Sequence, residues 1–397
     1  MSRINFYDDL RQEIKQTAAD NPYYKNICAE ANYDFDTQLD ETNLEEVPYV
    51  NWAAFKESNQ LFDKLLRIPF EELSHWTISS STSGDPSIVG RAPEDVKVFQ
   101  ENYKRLFEQF SYMSTIQKLV LFSPSVGFMN RMPGTWMGKR GFLFYRDITD
   151  IWNLDTTFLL FLNVRKLVFH LLTHFKFKTF IEVNGKALLK ALKDIEKRQI
   201  PALVGNSAPL MFKTFNDCKQ AGQTYSMPET FRVQTGGGGW SGVKGRVKTD
   251  PIDKAVFIES LSELFNINSS NFADCFGATE SPTAFGGHWS KTYGDFLLHV
   301  EKEHAQIILR SIDTFERIRD VKEPGVLEII TPYGVKSYTG LAVLLDDIVE
   351  VVDFNRCPDC GRENVIIFRH LDKLTPQSGK GCSSYTRLFP FAEKKKE

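Results

Sequence analysis

Between residues 117 and 235, short apolar runs alternate with amphipathic ones, and this alternation restricts the chain to few folds. QKLVLFSPS and GFLFYRDI precede the helical run ALLKALKDIEKRQ, IPALVGNS precedes the helical run PLMFKTFNDCKQAG, and FRVQT follows. Strand and helix in this order predict an α/β domain built on a largely parallel sheet. Such sheets receive ligands in the loops beyond the carboxyl ends of their strands. The run TGGGGW, closing FRVQT, stands at one of those ends.

The pattern continues with a helix in KAVFIESLSELFNI, a short strand in FADCFG and the tetrad Ala278-Thr279-Glu280-Ser281. From His299 the texture changes. QIILR, GVLEII, LAVLLDDIVEVV and NVIIFRHL are separated by turn residues, which predicts antiparallel strands. We therefore expect an α/β body over 1–298, with an entry layer over 1–75, then a small β-rich subdomain over 299–373 and a short extended tail over 374–397. Further helices are expected over 6–18, 51–66 and 93–111.

Composition narrows the function classes. With 48 basic and 51 acidic residues, a net charge of −3 provides no general field for nucleic acid, so any anion must be met locally. The most apolar stretch, 158–175, is interrupted by Arg165 and Lys166, which argues against a membrane span. The opening MSRINFYDDLRQEIK is charged where a signal peptide needs an apolar core, and six scattered cysteines form no disulfide framework. Both point to a reducing cytoplasm.

Three segments have chemistry suited to a nucleotide. SSSTSGDPS, residues 79–87, offers hydroxyls, free backbone N–H groups and a permissive Gly84, the makings of a phosphate-binding nest. It is not a Walker loop, because no Gly-Lys-Ser/Thr follows. Residues 236–239 are all glycine, so a flat ring or a phosphate can approach the backbone. FGATE, 276–280, places the Thr279 hydroxyl beside the Glu280 carboxylate, a pair able to meet a phosphate oxygen and Mg²⁺. A surface loop, a flexible turn and a solvated glutamate would each explain one segment alone. Three on one α/β sheet point to a common site.

The order SSSTSGDPS, GNSAPLMF, QTGGGG, FGATE, LLDDIVEV and FRHLDKL resembles the adenylate-forming ligase superfamily over about residues 70–382. Within it, the chain is similar to phenylacetate–CoA ligases and, more closely, to the acyl-protein synthetase family of the bacterial luciferase system, the long-chain fatty acid luciferin-component ligases. The resemblance implies that Ser81, Thr82, Ser83 and Gly84 wrap the phosphates of ATP. Gly236, Gly237, Gly238, Phe276 and Gly277 would receive the adenine, while Thr279 and Glu280 would serve phosphate and Mg²⁺. Asp347 would hold the ribose, Arg369 would match the arginine before the interdomain hinge, and Asp372 or Lys373 the hinge itself.

Departures from that pattern matter. Asp85, Pro86 and Ser87 stand where many relatives carry a lysine-bearing run, and Phe368 where many have glycine. The chain also ends soon after the hinge, with room for a tail but not for the lid that supplies the family's catalytic lysine. Lys373 and Lys380 are the nearest candidates for that charge. In the tail, Cys382 matches the cysteine that receives the acyl group in the luciferase-system family; a free surface thiol is the plainer reading.

Cys357 and Cys360, in CPDCGR, have the spacing of a zinc knuckle, but a closed site needs four ligands. His370 or the distant cysteines would have to complete it, and a plain turn is the reading preferred here. His75-Trp76 and His288-Trp289 are read as packing before acyl-pocket lining. The expected activity is ATP-dependent activation of a fatty or aromatic carboxylic acid, with transfer to Cys382 to form a thioester that an acyl reductase consumes. Two alternatives stay open: transfer to CoA or an acyl carrier protein, and a nucleotide-binding scaffold without catalysis.

Overall fold

The computed structural model describes residues 5–79, 87–125, 154–174, 181–236, 238–241, 243–244, 247–248 and 250–374. Fourteen of the described strands form one sheet. Its parallel half comprises, in spatial order, Asp155–Leu162, Lys118–Pro124, Ala202–Asn206, Arg232–Gly236 and Phe272–Gly277, with Ile181–Val183 antiparallel at the outer edge. At Phe272–Gly277 the direction changes. Ala284–Ser290, Asp295–Glu301, Val365–Lys373, Ala342–Asp353, Pro324–Ile330, Gln306–Arg310 and Arg317–Ile318 follow, each antiparallel to its predecessor.

The mixed α/β expectation is met, and the helices explain how the parallel strands are covered. In Gly185–Arg198, Leu188, Ala191, Leu192 and Ile195 fall on one face by helical spacing and are buried, and the Asn184 side chain caps the start by accepting from the Ala187 amide at 3.1 Å. Together with Ala208–Gln220 and Lys254–Phe265, this helix closes a core over Val120, Val204 and Val233. Phe122, Phe215, Phe231, Phe257, Phe265 and Phe272 in that core are each at most 2% exposed, so much of the chain's phenylalanine serves packing.

Helix Pro93–Ser111 crosses the strand Ala284–Ser290, and Gly286 permits the contact: a Cβ there would lie 2.3 Å from Phe110 and 2.8 Å from Leu106. The entry layer begins with helices Phe6–Asp20 and Pro22–Glu30, packed on the antiparallel half. The helix expected over 51–66 does not form. Val50–Asn51 instead pairs parallel to Val343 and Leu344, the Asn51 side chain accepts from the Ala53 amide at 3.0 Å, and Trp52–Phe55 makes a short 3₁₀ turn. Trp52, Ala53, Ala54 and Phe55 are all buried, a burden that a one-sided surface helix would not carry.

The apolar stretch over 158–175 divides into the end of strand Asp155–Leu162 and the helix Val164–His174, and no described helix is long and apolar enough to cross a membrane. Strand GFLFYRDI falls outside the described residues. Position 299 lies within Asp295–Glu301, where the antiparallel strands continue the same sheet. The tail beyond 374 also lies outside the described residues.

Candidate active site

The carboxyl ends of Arg232–Gly236 and Phe272–Gly277 are brought side by side by parallel pairing, Gly236 opposite Cys275. Gly238 and Gly239 have φ of 66° and 96°, left-handed values that glycine adopts freely. Asn206, ending the neighbouring strand Ala202–Asn206, has φ 108°, a conformation costing about 1–3 kcal/mol in a residue with a side chain. Strain at a strand end beside the glycine turn marks the same edge.

Phe276 presents a half-buried ring there. It lies parallel to Phe285 with centroids 6.4 Å apart, meets Phe368 edge-on at 5.8 Å and faces His370 at 5.4 Å. His370 in turn shares a 2.8 Å hydrogen bond with Asp347. Lys373 donates to Asp347 at 3.2 Å and to Asp346 at 2.7 Å. Burial alone would raise the Asp347 carboxyl, but the Lys373 charge and the His370 hydrogen bond overcome it and hold it at about 2. Burial would likewise lower the Lys373 ammonium, and the two aspartates raise it instead.

On the other side of Gly277, Thr279 is half-buried and Glu280 is 7% exposed. Burial pushes the Glu280 carboxyl above its ordinary range; Ser87 and the Lys56 charge oppose this, and the Asp346 charge adds to it. A buried carboxylate at Glu280 is an oxygen ligand of the kind a hard divalent cation takes, and the half-buried Thr279 beside it offers a hydroxyl, so the residues present fit Mg²⁺ with its phosphate partner.

Arg91 organises this turn. It is fully buried and donates to the carbonyls of Thr279 at 3.0 Å and Ser281 at 3.3 Å, and to the hydroxyls of Thr77 at 3.2 Å and Tyr338 at 3.1 Å. Tyr338 donates onward to the Glu280 carbonyl at 3.2 Å. Among the described residues Arg91 has no carboxylate partner, and its guanidinium lies over the rings of Tyr338 and Phe99 at 4.9 and 5.4 Å. Arg91 ends the hairpin His75–Ile78 with Ile88–Arg91, whose base is closed by Ser79 and Ser87: the Ser87 amide donates to the Ser79 hydroxyl at 2.8 Å. The Ser/Thr loop therefore springs from a hairpin bolted to the Thr279–Glu280 turn.

The expected site residues thus divide. Gly236, Gly238, Phe276, Gly277, Thr279, Glu280 and Asp347 gather along one edge of the sheet. Arg369 does not join them: one strand position from His370, it faces the opposite side, bonded to Glu350 at 2.8 Å and over the Tyr293 ring at 5.7 Å. Strand alternation sets this, and a bulge that omits Leu371 from the pairing lets His370 and Lys373 both reach Asp347. Ser81, Thr82, Ser83, Gly84, Gly237, Lys380 and Cys382 lie outside the described residues.

Sequence reasoning missed Arg91, Tyr338 and Lys56, and it named His370 only as a possible zinc ligand. Arg91 alone had a signal, a charge closing the otherwise uncharged strand Ile88–Arg91. Trp76 packs, 1% exposed, against Phe62 and Phe70, while the half-buried His75 shares a 2.8 Å hydrogen bond with the Ser74 hydroxyl.

No family model and no curated protein matches this chain. Among solved structures, it is similar to an open conformation of 2-hydroxyisobutyryl-CoA ligase in complex with 2-HIB-AMP and CoA, with a TM-score of 0.59 and 11% identity over 92% of this chain and 74% of that one. The same ligase in its postadenylation state with 2-HIB-AMP gives a TM-score of 0.60 and 11% identity over 93% of this chain and 67% of that one. At this identity the likeness is one of fold, a mixed α/β sheet covered by helices and shared with that ligase.

Proposed function

We propose that the protein activates a carboxylic acid with ATP and passes the acyl group to a thiol. The observation that carries this reading is the convergence, at one sheet edge, of an aromatic face at Phe276, a carboxylate held ionised at Asp347 and the Thr279–Glu280 turn with its buried carboxylate. These match in kind an adenine, a ribose and a metal-bound phosphate chain. Shared fold with a CoA ligase bound to an acyl-adenylate supports the same chemistry.

The acid's carboxylate oxygen attacks the α-phosphorus, pyrophosphate leaves, and an acyl-adenylate results; a thiolate then attacks the acyl carbon and AMP leaves. The protein's part is to hold the reactants in line and to stabilise negative charge. Glu280 would hold Mg²⁺, which supplies charge neutralisation at the phosphates, and the Thr279 hydroxyl would meet a phosphate oxygen. With no lysine in the Ser/Thr loop, Lys56 near Glu280 and Lys373 at Asp346 and Asp347 provide the local positive charge. Arg369, bonded to Glu350, is proposed to act from the far face of its strand, supporting the segment that leads to Lys373.

For the acceptor we favour Cys382, and for the acid a long-chain fatty acid, on the resemblance to luciferase-system acyl-protein synthetases. The test is incubation with Mg-ATP and palmitate without CoA, followed by intact mass. An acyl adduct that disappears in Cys382→Ala is the expected result. An adduct that survives the substitution, or one that forms only when CoA is supplied and then on CoA itself, overturns the choice of acceptor.

A further inference from the structure

A second constellation lies on the face of the sheet opposite Phe276, away from the nucleotide residues. In the antiparallel register Gly286 faces His299 and His288 faces Leu297, which puts both histidines on one side of adjacent strands. Their rings are 5.2 Å apart at 68°. Over them lies the turn between Ala342–Asp353 and Val365–Lys373. In it Cys357 is fully buried and Cys360 is exposed. One ligand atom from each of His288, His299, Cys357 and Cys360 can be chosen so that all lie within 4.8 Å of one another.

The turn itself is shaped to present both sulfurs. The Cys357 amide donates to the Arg362 carbonyl at 2.8 Å, the Gly361 amide donates to the Cys357 carbonyl at 3.0 Å, and Gly361 has φ 73°, where any other residue would be strained. His299 gives an independent sign. It is 3% exposed, and among the described residues neither ring nitrogen has a hydrogen-bond partner. Leaving a buried imidazole so unsatisfied forfeits its hydration without return, and native structures rarely tolerate it without an ion or water.

We propose that His288, His299, Cys357 and Cys360 form a closed, four-coordinate zinc site. Bond lengths of about 2.3 Å to sulfur and 2.0–2.1 Å to nitrogen set a sulfur–nitrogen edge of about 3.6 Å in a tetrahedron. His288 Nε2 lies 3.4 Å from Cys357 Sγ. Two thiolates and two imidazoles select zinc among common divalent ions, and four protein ligands leave no position for a reacting water, so the site is structural. Both thiols bind as thiolates, releasing two protons to solvent. The metal ties the turn entering Val365–Lys373, the strand that carries His370 and Lys373, to the two strands that leave the Thr279–Glu280 turn. The assignment is independent of the proposed activity.

The experiment uses the full chain, purified without chelator from zinc-supplemented medium, with metal measured by inductively coupled plasma mass spectrometry. We expect one zinc per chain in the wild type and in a Cys218→Ser control, and loss of the metal in Cys360→Ser and His299→Ala. Replacing zinc with Co²⁺ gives the visible bands of a tetrahedral ion together with a thiolate charge-transfer band. In the wild type, zinc slows alkylation of Cys357 and Cys360 read by peptide mapping, a measurement that stands even if a variant fails to fold. Metal-free wild type whose two cysteines alkylate equally fast with and without zinc overturns the site, as does a cobalt spectrum lacking the thiolate band.

Discussion

Replacing Arg91 with methionine separates two opposed effects whose magnitudes the structure allows to be weighed. A buried guanidinium without a carboxylate partner carries a desolvation cost, and substitution by an apolar side chain of similar reach can be neutral or stabilising. Against this stand four hydrogen bonds at 3.0–3.3 Å, two of them to the carbonyls of Thr279 and Ser281. Bonds to a charged donor contribute about 1.5–3 kcal/mol each, and a buried carbonyl left without its donor costs about 1–3 kcal/mol. Because methionine restores none of them, the hydrogen bonds win, and Arg91→Met is expected to lose roughly 3–4 kcal/mol in urea unfolding. The released turn carries Glu280, so pyrophosphate exchange should fall about a hundredfold, the scale of a misplacement near 1 Å. Arg91→Lys keeps the charge but not the fork and should recover only part of each. Stability equal to wild type in Arg91→Met would show the buried charge to be a net cost, and unchanged exchange would remove Arg91 as the residue that positions the turn.

Asp347→Asn tests the ionised carboxylate. A folded value of about 2, below the ordinary 3.8, gives stability that is present above about pH 4 and lost as pH falls toward 2. Lys373 is 56% exposed, so screening reduces the gain to roughly 1–2 kcal/mol. Urea midpoints of the variant should therefore lie below wild type at pH 6 and converge with it on acidification; a constant offset contradicts the assignment. Gly287→Ala would place a Cβ 2.3 Å from the Leu297 carbonyl oxygen, a backbone atom that cannot step aside, and a loss above about 3 kcal/mol is expected, whereas a silent substitution would refute the register. Phe276→Ala should raise the KM for ATP about tenfold with a smaller change in kcat, since it removes a stacking face and leaves Thr279 and Glu280 in place; an unchanged KM would place the adenine elsewhere.

Four strands of the parallel half, Lys118–Pro124, Ala202–Asn206, Arg232–Gly236 and Phe272–Gly277, were legible as short apolar runs between helical or turn segments, whereas Asp155–Leu162 was hidden in an apolar stretch that runs on into the helix Val164–His174. Helix 93–111 was legible from the spacing of Val96, Phe99, Tyr103 and Leu106. Residues 51–66 were not, because the conformation there follows from pairing with Val343 and Leu344, nearly three hundred positions away. The continuity of the sheet past 299 was equally hidden, since Asp295–Glu301 finds its partner in Val365–Lys373. At the site, side chains near a strand end could be grouped from motif order alone. Arg369 could not be placed, because which face of its strand meets Phe276 follows only from pairing with Asp295–Glu301 and Ala342–Asp353, and His288 and His299 could not be joined to Cys357 and Cys360 without the register.

Carboxylate-dependent exchange of labelled pyrophosphate into ATP tests the central claim most directly, because it reads adenylation without regard to the acceptor. Across a panel of fatty and aromatic acids, the wild type should exchange with at least one, the exchange should require Mg²⁺, and Glu280→Ala should abolish it. No exchange with any acid by a folded protein that still binds ATP would contradict the account and leave a nucleotide-binding scaffold.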